Sequence, residues 1–184
     1  MPVIIAMLRG VNLGAHNRMS MEVLRDVYAS LKLLDVRTYV QSGNVLFKTE
    51  EREIDNLVDK IQDAVERRFK FRPDVIVRTA RELRDVVARN PFARRRGIEP
   101  SKLLVTFLAS DPGEAAREQI RKLKTDPEEV RIDGREIYTY FPNGMARPKL
   151  SWAAIERILK TSGTGRNWNS VTKMLEIAET META

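Results

Sequence analysis

The stretch VRIDGREIYTYF, residues 130–141, decides the fold because it predicts a β-hairpin. Two runs rich in β-branched and aromatic residues flank the dipeptide Asp133-Gly134. This dipeptide favours a type I′ turn, which needs positive φ at both central positions. Because a hairpin pairs its strands antiparallel, the stretch favours an antiparallel sheet over a single parallel one.

The first half of the chain contains a second predicted hairpin. Its strands cover residues 36–40 and 45–47, on either side of the turn sequence Gln41-Ser42-Gly43-Asn44. A buried strand at residues 3–8 and an amphipathic helix over about 21–33 precede this hairpin.

The clearest amphipathic helix follows the first hairpin and contains Leu57, Ile61 and Val65. These three side chains fall at helical spacing, so we expect them to lie in the core. A strand at residues 74–78 comes next. The sequence Thr79-Ala80-Arg81-Glu82 then matches a capping box and predicts the start of another helix.

The same order of elements surrounds the second hairpin. A strand over residues 103–108 and a helix that begins near Asp111 precede it, and a helix over about 151–160 follows. The last helix starts near Asn169. Both halves thus share the order β-α-β-β-α, and a fourth strand is evident only in the first half.

This repeated order predicts an α+β protein made of two ferredoxin-like subdomains, each an antiparallel sheet backed by helices. The polar segment 92–101 marks the boundary, so we expect subdomains over residues 1–92 and 93–184. Since half a chain of this length is marginally stable alone, we expect the two to share an apolar interface and to form one cooperative unit.

The composition excludes several classes of site. The chain has 184 residues, a net charge of +6, one histidine and no cysteine, which rules out disulfides, thiolate metal sites and cysteine nucleophiles. No cofactor or metal is predicted. The chain shows neither a signal peptide nor a long apolar stretch, so we expect a soluble cytoplasmic protein without a membrane partner. Nothing in the sequence indicates an oligomeric state.

Five segments spread along the chain form a recognisable set of motifs: Leu8–Gly14, Arg37–Phe47, Asn90–Phe92, Tyr140–Gly144 and Gly165–Val171. Taken together and in this order, they resemble the domain-of-unknown-function 1697 family. The resemblance implies two ferredoxin-like subdomains and no known activity. Two places depart from the family pattern: Ala15-His16 stand where the family has glycine and lysine, and Ala146-Arg147-Pro148 where it has Gly-Arg-Ser.

Eight polar residues in loops, or at the ends of strands and helices, are candidates for anion binding. They are Arg9, Asn12, Gln41, Asn44, Arg147, Lys149, Arg166 and Asn167. Arginine offers a planar fork of donors that matches phosphate or carboxylate, and lysine adds a mobile charge. We expect the eight to converge on one surface. The alternatives are a tight glycine turn, a hairpin turn that bonds its own backbone, and a helix cap among solvated bases.

Three functions remain open from the sequence. The first is binding of a phosphate-bearing small molecule or nucleic acid, the second is a small enzyme acting on an anionic metabolite, and the third is an interaction module without a ligand. No catalytic residue can be nominated, because His16 has no nucleophile motif to serve. Tyr138 and Tyr140 lie on one side of their strand, where they could stack bases or pack internally.

Overall fold

Two four-stranded antiparallel sheets carry the fold in the computed structural model, which describes every residue of the chain. Helices back each sheet, which confirms the predicted α+β class with two ferredoxin-like subdomains. The chain divides into two compact units, one of Met1–Arg84 with Met174–Ala184 and the other of Asp85–Lys173. The subdomain ranges 1–92 and 93–184 stay a prediction.

The helices and strands follow the repeated order. The first seven are β1 (Val3–Leu8), α1 (Met21–Ser30), β2 (Leu34–Tyr39), β3 (Asn44–Lys48), α2 (Ile54–Phe69), β4 (Val75–Thr79) and α3 (Ala80–Ala88). After a 3₁₀ turn at Pro100–Lys102 come β5 (Leu103–Leu108), α4 (Glu114–Arg121), β6 (Glu129–Asp133), β7 (Glu136–Tyr140), α5 (Trp152–Leu159), β8 (Gly163–Asn167) and α6 (Trp168–Thr183).

The two sheets have the same strand order. The first runs β2-β3-β1-β4 and the second runs β6-β7-β5-β8. In both sheets the strand that opens the unit lies in the interior, between the second strand of its hairpin and the last strand. The registers match as well: Ile5 lies opposite Arg78 in the first sheet, and Val105 lies opposite Arg166 in the second.

Both predicted hairpins form, but the turn of the second differs from the prediction. Asp133 pairs with Glu136, so the two loop residues are Gly134 and Arg135 rather than Asp133 and Gly134. Only Gly134 has a positive φ, at 58°. A glycine at the first central position, with a negative φ after it, is the pattern of a type II′ turn and not of type I′. Asp133 can then stay in the strand.

The fourth strand of the second sheet, β8, was not evident from the sequence. Its residues Gly163, Thr164, Gly165, Arg166 and Asn167 include two glycines, which weaken strand propensity. Pairing along the edge of β5 nevertheless holds β8 in the sheet, with Gly163 opposite Leu108 and Asn167 opposite Leu104.

Local sequence chemistry fixes the helix starts. Ser20 caps α1 by accepting a hydrogen bond from the Val23 N–H. The capping box of α3 also forms, because the Thr79 N–H donates to Glu82 Oε2 and the Glu82 N–H donates to Thr79 Oγ1. None of the helices has the length and the apolar composition that a membrane span needs.

In the first unit, α1 and α2 pack against one face of the sheet. Leu57, Ile61 and Val65 are all buried in this core, which confirms their prediction. Tyr28 of α1 stacks on Phe47 of β3, with ring centroids 5.6 Å apart. In the second unit the corresponding core contains residues of β5, β6, β7, α4 and α5. They are Leu108, Ile120, Val130, Ile132, Ile137, Ile155 and Leu159.

Candidate functional site

Asn12 lies in the loop between β1 and α1, and hydrogen bonds within the protein occupy its side-chain amide. Its Nδ2 donates to the carbonyl oxygens of Gln41, at 2.6 Å, and Met19, at 3.2 Å. Its Oδ1 accepts from the Met19 N–H at 2.8 Å. Asn12 therefore ties the loop to the start of α1 and to the first hairpin.

The hairpin motif Gln41–Asn44 also bonds its own backbone. Asn44 is fully buried, and its Nδ2 donates to Tyr39 O and Ser42 Oγ, both at 3.0 Å. Gly43 has a φ of 78° and lies so close to β1 that a Cβ there would meet Leu8 Cβ at 2.9 Å. The turn alternative thus accounts for Asn44, while the Gln41 side chain remains exposed.

Arg9 is the other first-unit candidate with an exposed side chain. Its backbone N–H donates to Asp74 O at 2.9 Å, and its guanidinium lies 3.8 Å from Asp74 Oδ2. About two fifths of the side chain is exposed. Surface ion pairs of this kind add little stability. Asp74 therefore holds the Arg9 side chain only weakly at the end of β1.

Arg166, in β8 of the second unit, is buried. Its Nη1 donates to Thr164 Oγ1 at 2.7 Å and to Gly165 O at 2.9 Å. Burial lowers the pKa of the guanidinium to about 10, so it stays charged at neutral pH. Arg166 lies opposite Val105, on the sheet face away from α5, and therefore faces away from any ligand on the α5 side.

Asn167, Tyr138 and Tyr140 also serve the fold. Asn167 Oδ1 accepts from the Ser170 N–H in the first turn of α6. The Tyr138 hydroxyl donates to Val86 O at 2.6 Å, and burial raises the pKa of this hydroxyl well above its usual value. Tyr140 is 7% exposed. Neither tyrosine ring is open to a base, so the packing alternative describes them.

The loop between β7 and α5 holds two further candidates whose side chains face solvent, Arg147 and Lys149. Neither side chain makes an ion pair or hydrogen bond within the protein. The loop is anchored below by Glu128, a buried carboxylate whose Oε1 accepts from the backbone N–H groups of Lys149 and Leu150. This anchor turns Leu150 inward against the core and leaves Lys149 outside.

Lys149 shares a cavity of about 230 Å³ with a second lysine, Lys124, which follows α4. The cavity also contains Thr125, Asp126 and Ser151, the residue that caps α5. Asp126 forms no ion pair with either lysine. We call Lys124, Arg147 and Lys149 the basic patch. The sequence alone could not identify Lys124, because only packing of α4 beside α5 brings its loop to Lys149.

The matched family is described as "Protein of unknown function (DUF1697)", and its model matches residues 1–138, three quarters of the chain. The chain belongs to this family. The resemblance seen in the motifs is thereby confirmed over that range. The motifs at Tyr140–Gly144 and Gly165–Val171 lie beyond the matched residues.

One solved structure shows how far the fold extends. It is described as the structure of conserved bacterial protein SP0830 from Streptococcus pneumoniae. It is 19% identical to this DUF1697 protein, with a TM-score of 0.72, and the match covers 97% of this chain and 99% of that chain. At this identity the likeness shows the fold alone. No curated protein matches the chain.

Within the residues that match the DUF1697 family, the side chains of Asn12 and Asn44 donate hydrogen bonds to backbone carbonyls of the protein. The side chain of Lys124, in the same range, is exposed to solvent. Arg147 and Lys149 lie beyond the match. The basic patch holds no histidine, and no three His, Asp or Glu side chains in the chain cluster as a metal ion would need. The exposed cationic side chains of the patch attract negative charge.

Proposed function

We propose that this protein binds a phosphate-bearing small ligand at the basic patch of its second unit. The observation that carries the proposal is the cavity that Lys124 and Lys149 both line, with neither ammonium group paired to a carboxylate. Two unpaired cations on one cavity repel each other, and a bound anion would remove that cost.

The start of α5 adds to the attraction for an anion. Ser151 lies in the same cavity and caps the helix, which has no acidic residue in its first turn. The N-terminus of a helix carries a partial positive charge and backbone donors that suit phosphate. Arg147 does not line the cavity, but its exposed side chain lies two residues from Lys149 and adds a third positive charge to the same loop.

The size of the site favours a small ligand over nucleic acid. A protein that follows a nucleic-acid backbone presents a long basic stripe, whereas Lys124 and Lys149 line a single cavity of about 230 Å³. An enzyme would need an oriented acid, base or nucleophile beside the ligand, and Asp126, the only carboxylate in the cavity, makes no hydrogen bond or ion pair that would orient it. Binding is therefore the function that the geometry supports best.

Titration calorimetry with pyrophosphate tests the proposal. Lys124→Gln and Lys149→Gln should each weaken binding about tenfold, which is the effect of losing one charge-assisted hydrogen bond. Arg96→Gln is the matched control, because it removes an exposed and unpaired charge elsewhere in the same unit. Binding should also weaken as salt rises.

Two results would contradict the proposed function. One is that the wild-type protein does not bind pyrophosphate. The other is that the double variant Lys124→Gln/Lys149→Gln binds it as tightly as Arg96→Gln does, which would place the anion elsewhere on the surface.

A further inference from the structure

A second cavity, of about 200 Å³, lies under the segment Pro148–Leu150 of the same loop. Its floor is the face of the second sheet that carries Leu104 and Thr106 on β5 and Thr139 on β7. We call it the threonine pocket. It is separate from the cavity of the basic patch, but Leu150 borders both.

Two nearly buried threonines present hydrogen-bonding hydroxyl groups to the pocket. Thr106 is 3% exposed and Thr139 is 2% exposed. Neither hydroxyl has a partner within the protein, and neither is sealed off from the cavity that it borders. A hydroxyl that opens onto a cavity can bond to water there, so a ligand that displaces the water loses affinity unless it replaces that hydrogen bond. A ligand with donors or acceptors would satisfy both.

The glycines of β8 shape the pocket. Gly163 and Gly165 both line it, and a Cβ at Gly165 would come within 3.0 Å of Leu104 Cδ2. At Gly163 a Cβ would lie 2.9 Å from Thr106 Cγ2. Since neither position carries a side chain, the strand presents bare peptide planes, which form a flat surface.

The walls and the volume of the threonine pocket suit one planar ring of a ligand. Phe141, Pro148 and Trp152 supply aromatic and apolar sides, which suit the face of a planar group. A cavity of about 150 Å³ is enough for benzene, so the threonine pocket has room for one ring and little more. A purely apolar ring would leave the threonine hydroxyls unpaired, and a sugar would not match the walls. A heteroaromatic ring meets both demands.

We propose that the threonine pocket binds one heteroaromatic ring of pyrimidine size, carried by the phosphate-bearing ligand of the basic patch. The link to phosphate rests on the proposed function; the ring site rests on the threonines, glycines and aromatic walls. Along the loop, Arg147 and Lys149 face solvent while Pro148 and Leu150 face the pocket. One ligand could therefore place its ring inside and its phosphate outside.

Three probes separate the two halves of the site: uridine for the ring, pyrophosphate for the charge, and uridine monophosphate for both. Trp152, in the pocket wall, is one of two tryptophans, so a Trp168→Phe background leaves it as the only reporter. Uridine should change the fluorescence of Trp152. Uridine monophosphate should bind more tightly than either of the other probes.

Thr139→Val is the decisive variant, because it keeps the shape of the side chain and removes only the hydroxyl. It should weaken binding of uridine and of uridine monophosphate about tenfold and leave pyrophosphate binding unchanged. Thr172→Val is the matched control, since its hydroxyl bonds to helix carbonyls of α6 and lies outside the pocket. Gly165→Ala, which fills the floor, should also weaken uridine binding. Melting temperatures confirm that each variant is folded.

The outcomes distinguish the two proposals. Pyrophosphate binding without uridine binding would overturn the ring site and leave the proposed function standing. Uridine binding that Thr139→Val weakens, without pyrophosphate binding, would support the ring site and overturn the proposed function. Uridine affinity unchanged in both Thr139→Val and Gly165→Ala would place the ring elsewhere and overturn this inference.

Discussion

Asn12 and Asn17 lie in the same loop with similar positive φ values, 53° and 48°. Their side chains differ in the number of hydrogen bonds that they form with the protein. Asn12 donates two hydrogen bonds and accepts one, whereas the exposed Asn17 donates one, to Gly10 O. Asn12→Asp keeps the acceptor and removes both donors. It should lower the free energy of unfolding by about 1–3 kcal/mol, mainly because the carbonyl of the buried Met19 loses its donor.

Urea denaturation measures this effect, and Asn17→Asp is its control. The control should cost less than about 1 kcal/mol, because water replaces an exposed hydrogen bond at little cost. Equal losses in the two variants would mean that Asn12 does not hold the loop to the first hairpin.

At the residue scale, the sequence identified polar side chains but not how the fold uses them. Asn44 and Arg166 look like ligand donors until the structure shows the carbonyls and the hydroxyl that take up their hydrogen bonds. Whether a donor is free depends on which acceptors lie within about 3 Å, and that is a tertiary property. Lys149 could be predicted as an exposed cation, but Lys124 could not be predicted as its neighbour.

At the element scale, Ile61 tests the buried face of α2. Its side chain is fully buried in the first unit's core, so Ile61→Ala should lower the free energy of unfolding by about 2–5 kcal/mol. Ile54→Ala makes the same change at the first residue of α2, where the side chain is only half-buried, and should cost less. Thermal or urea unfolding measures both, and a melting temperature unchanged by Ile61→Ala would contradict the packing.

The edge strand β8 allows a second test at this scale. A Cβ at Gly163 would meet Thr106 Cγ2 at 2.9 Å and the backbone oxygen of Phe107 at 3.2 Å, whereas at Gly165 its three nearest atoms all belong to the side chain of Leu104. A leucine can change rotamer, but a strand carbonyl cannot move without breaking pairing. Gly163→Ala should therefore cost about 1–3 kcal/mol and Gly165→Ala less, measured by urea denaturation. The reverse order would mean that β8 is less tightly paired to β5.

Strand β8 also shows which elements can be predicted from the sequence and which cannot. Both hairpins and α2 could be predicted because hydrophobic periodicity and turn residues are local properties. Gly163–Asn167 has no such pattern, and it becomes a strand because β5 offers it an open edge. The second turn shows the limit of local chemistry: Asp-Gly indicated a hairpin, but cross-strand pairing of Asp133 with Glu136 set the register.

At the scale of the whole molecule, the first unit is discontinuous in sequence. The chain leaves it after Arg84 and returns with Met174–Ala184, the greater part of α6. The repeated order of elements divides the chain at one point, into a first and a second half. It could not reveal that the last eleven residues pack with the first unit. Arg84 marks the return, since its guanidinium bonds to Glu179 and Glu182 at 3.2 and 2.7 Å.

This discontinuity predicts that the C-terminal residues stabilise the first unit. Met174, Ala178 and Met181 are all fully buried, so a chain that ends at residue 173 should lose the burial of three apolar side chains. Met181→Ala alone should cost about 2–5 kcal/mol in urea denaturation. Thr180→Ala, at the exposed neighbouring position, is the control and should cost under about 1 kcal/mol.

Arg84→Ala tests how much the ion pairs to the C-terminal residues contribute to stability, apart from the burial of their apolar side chains. Its ion pairs with Glu179 and Glu182 are surface contacts, and their loss should cost no more than about 1 kcal/mol. If apolar burial holds the C-terminal residues in the first unit, truncation and Met181→Ala must both be far more destabilising than Arg84→Ala. A truncated chain with the melting temperature of the full chain would show instead that Met1–Arg84 is stable without its returning segment.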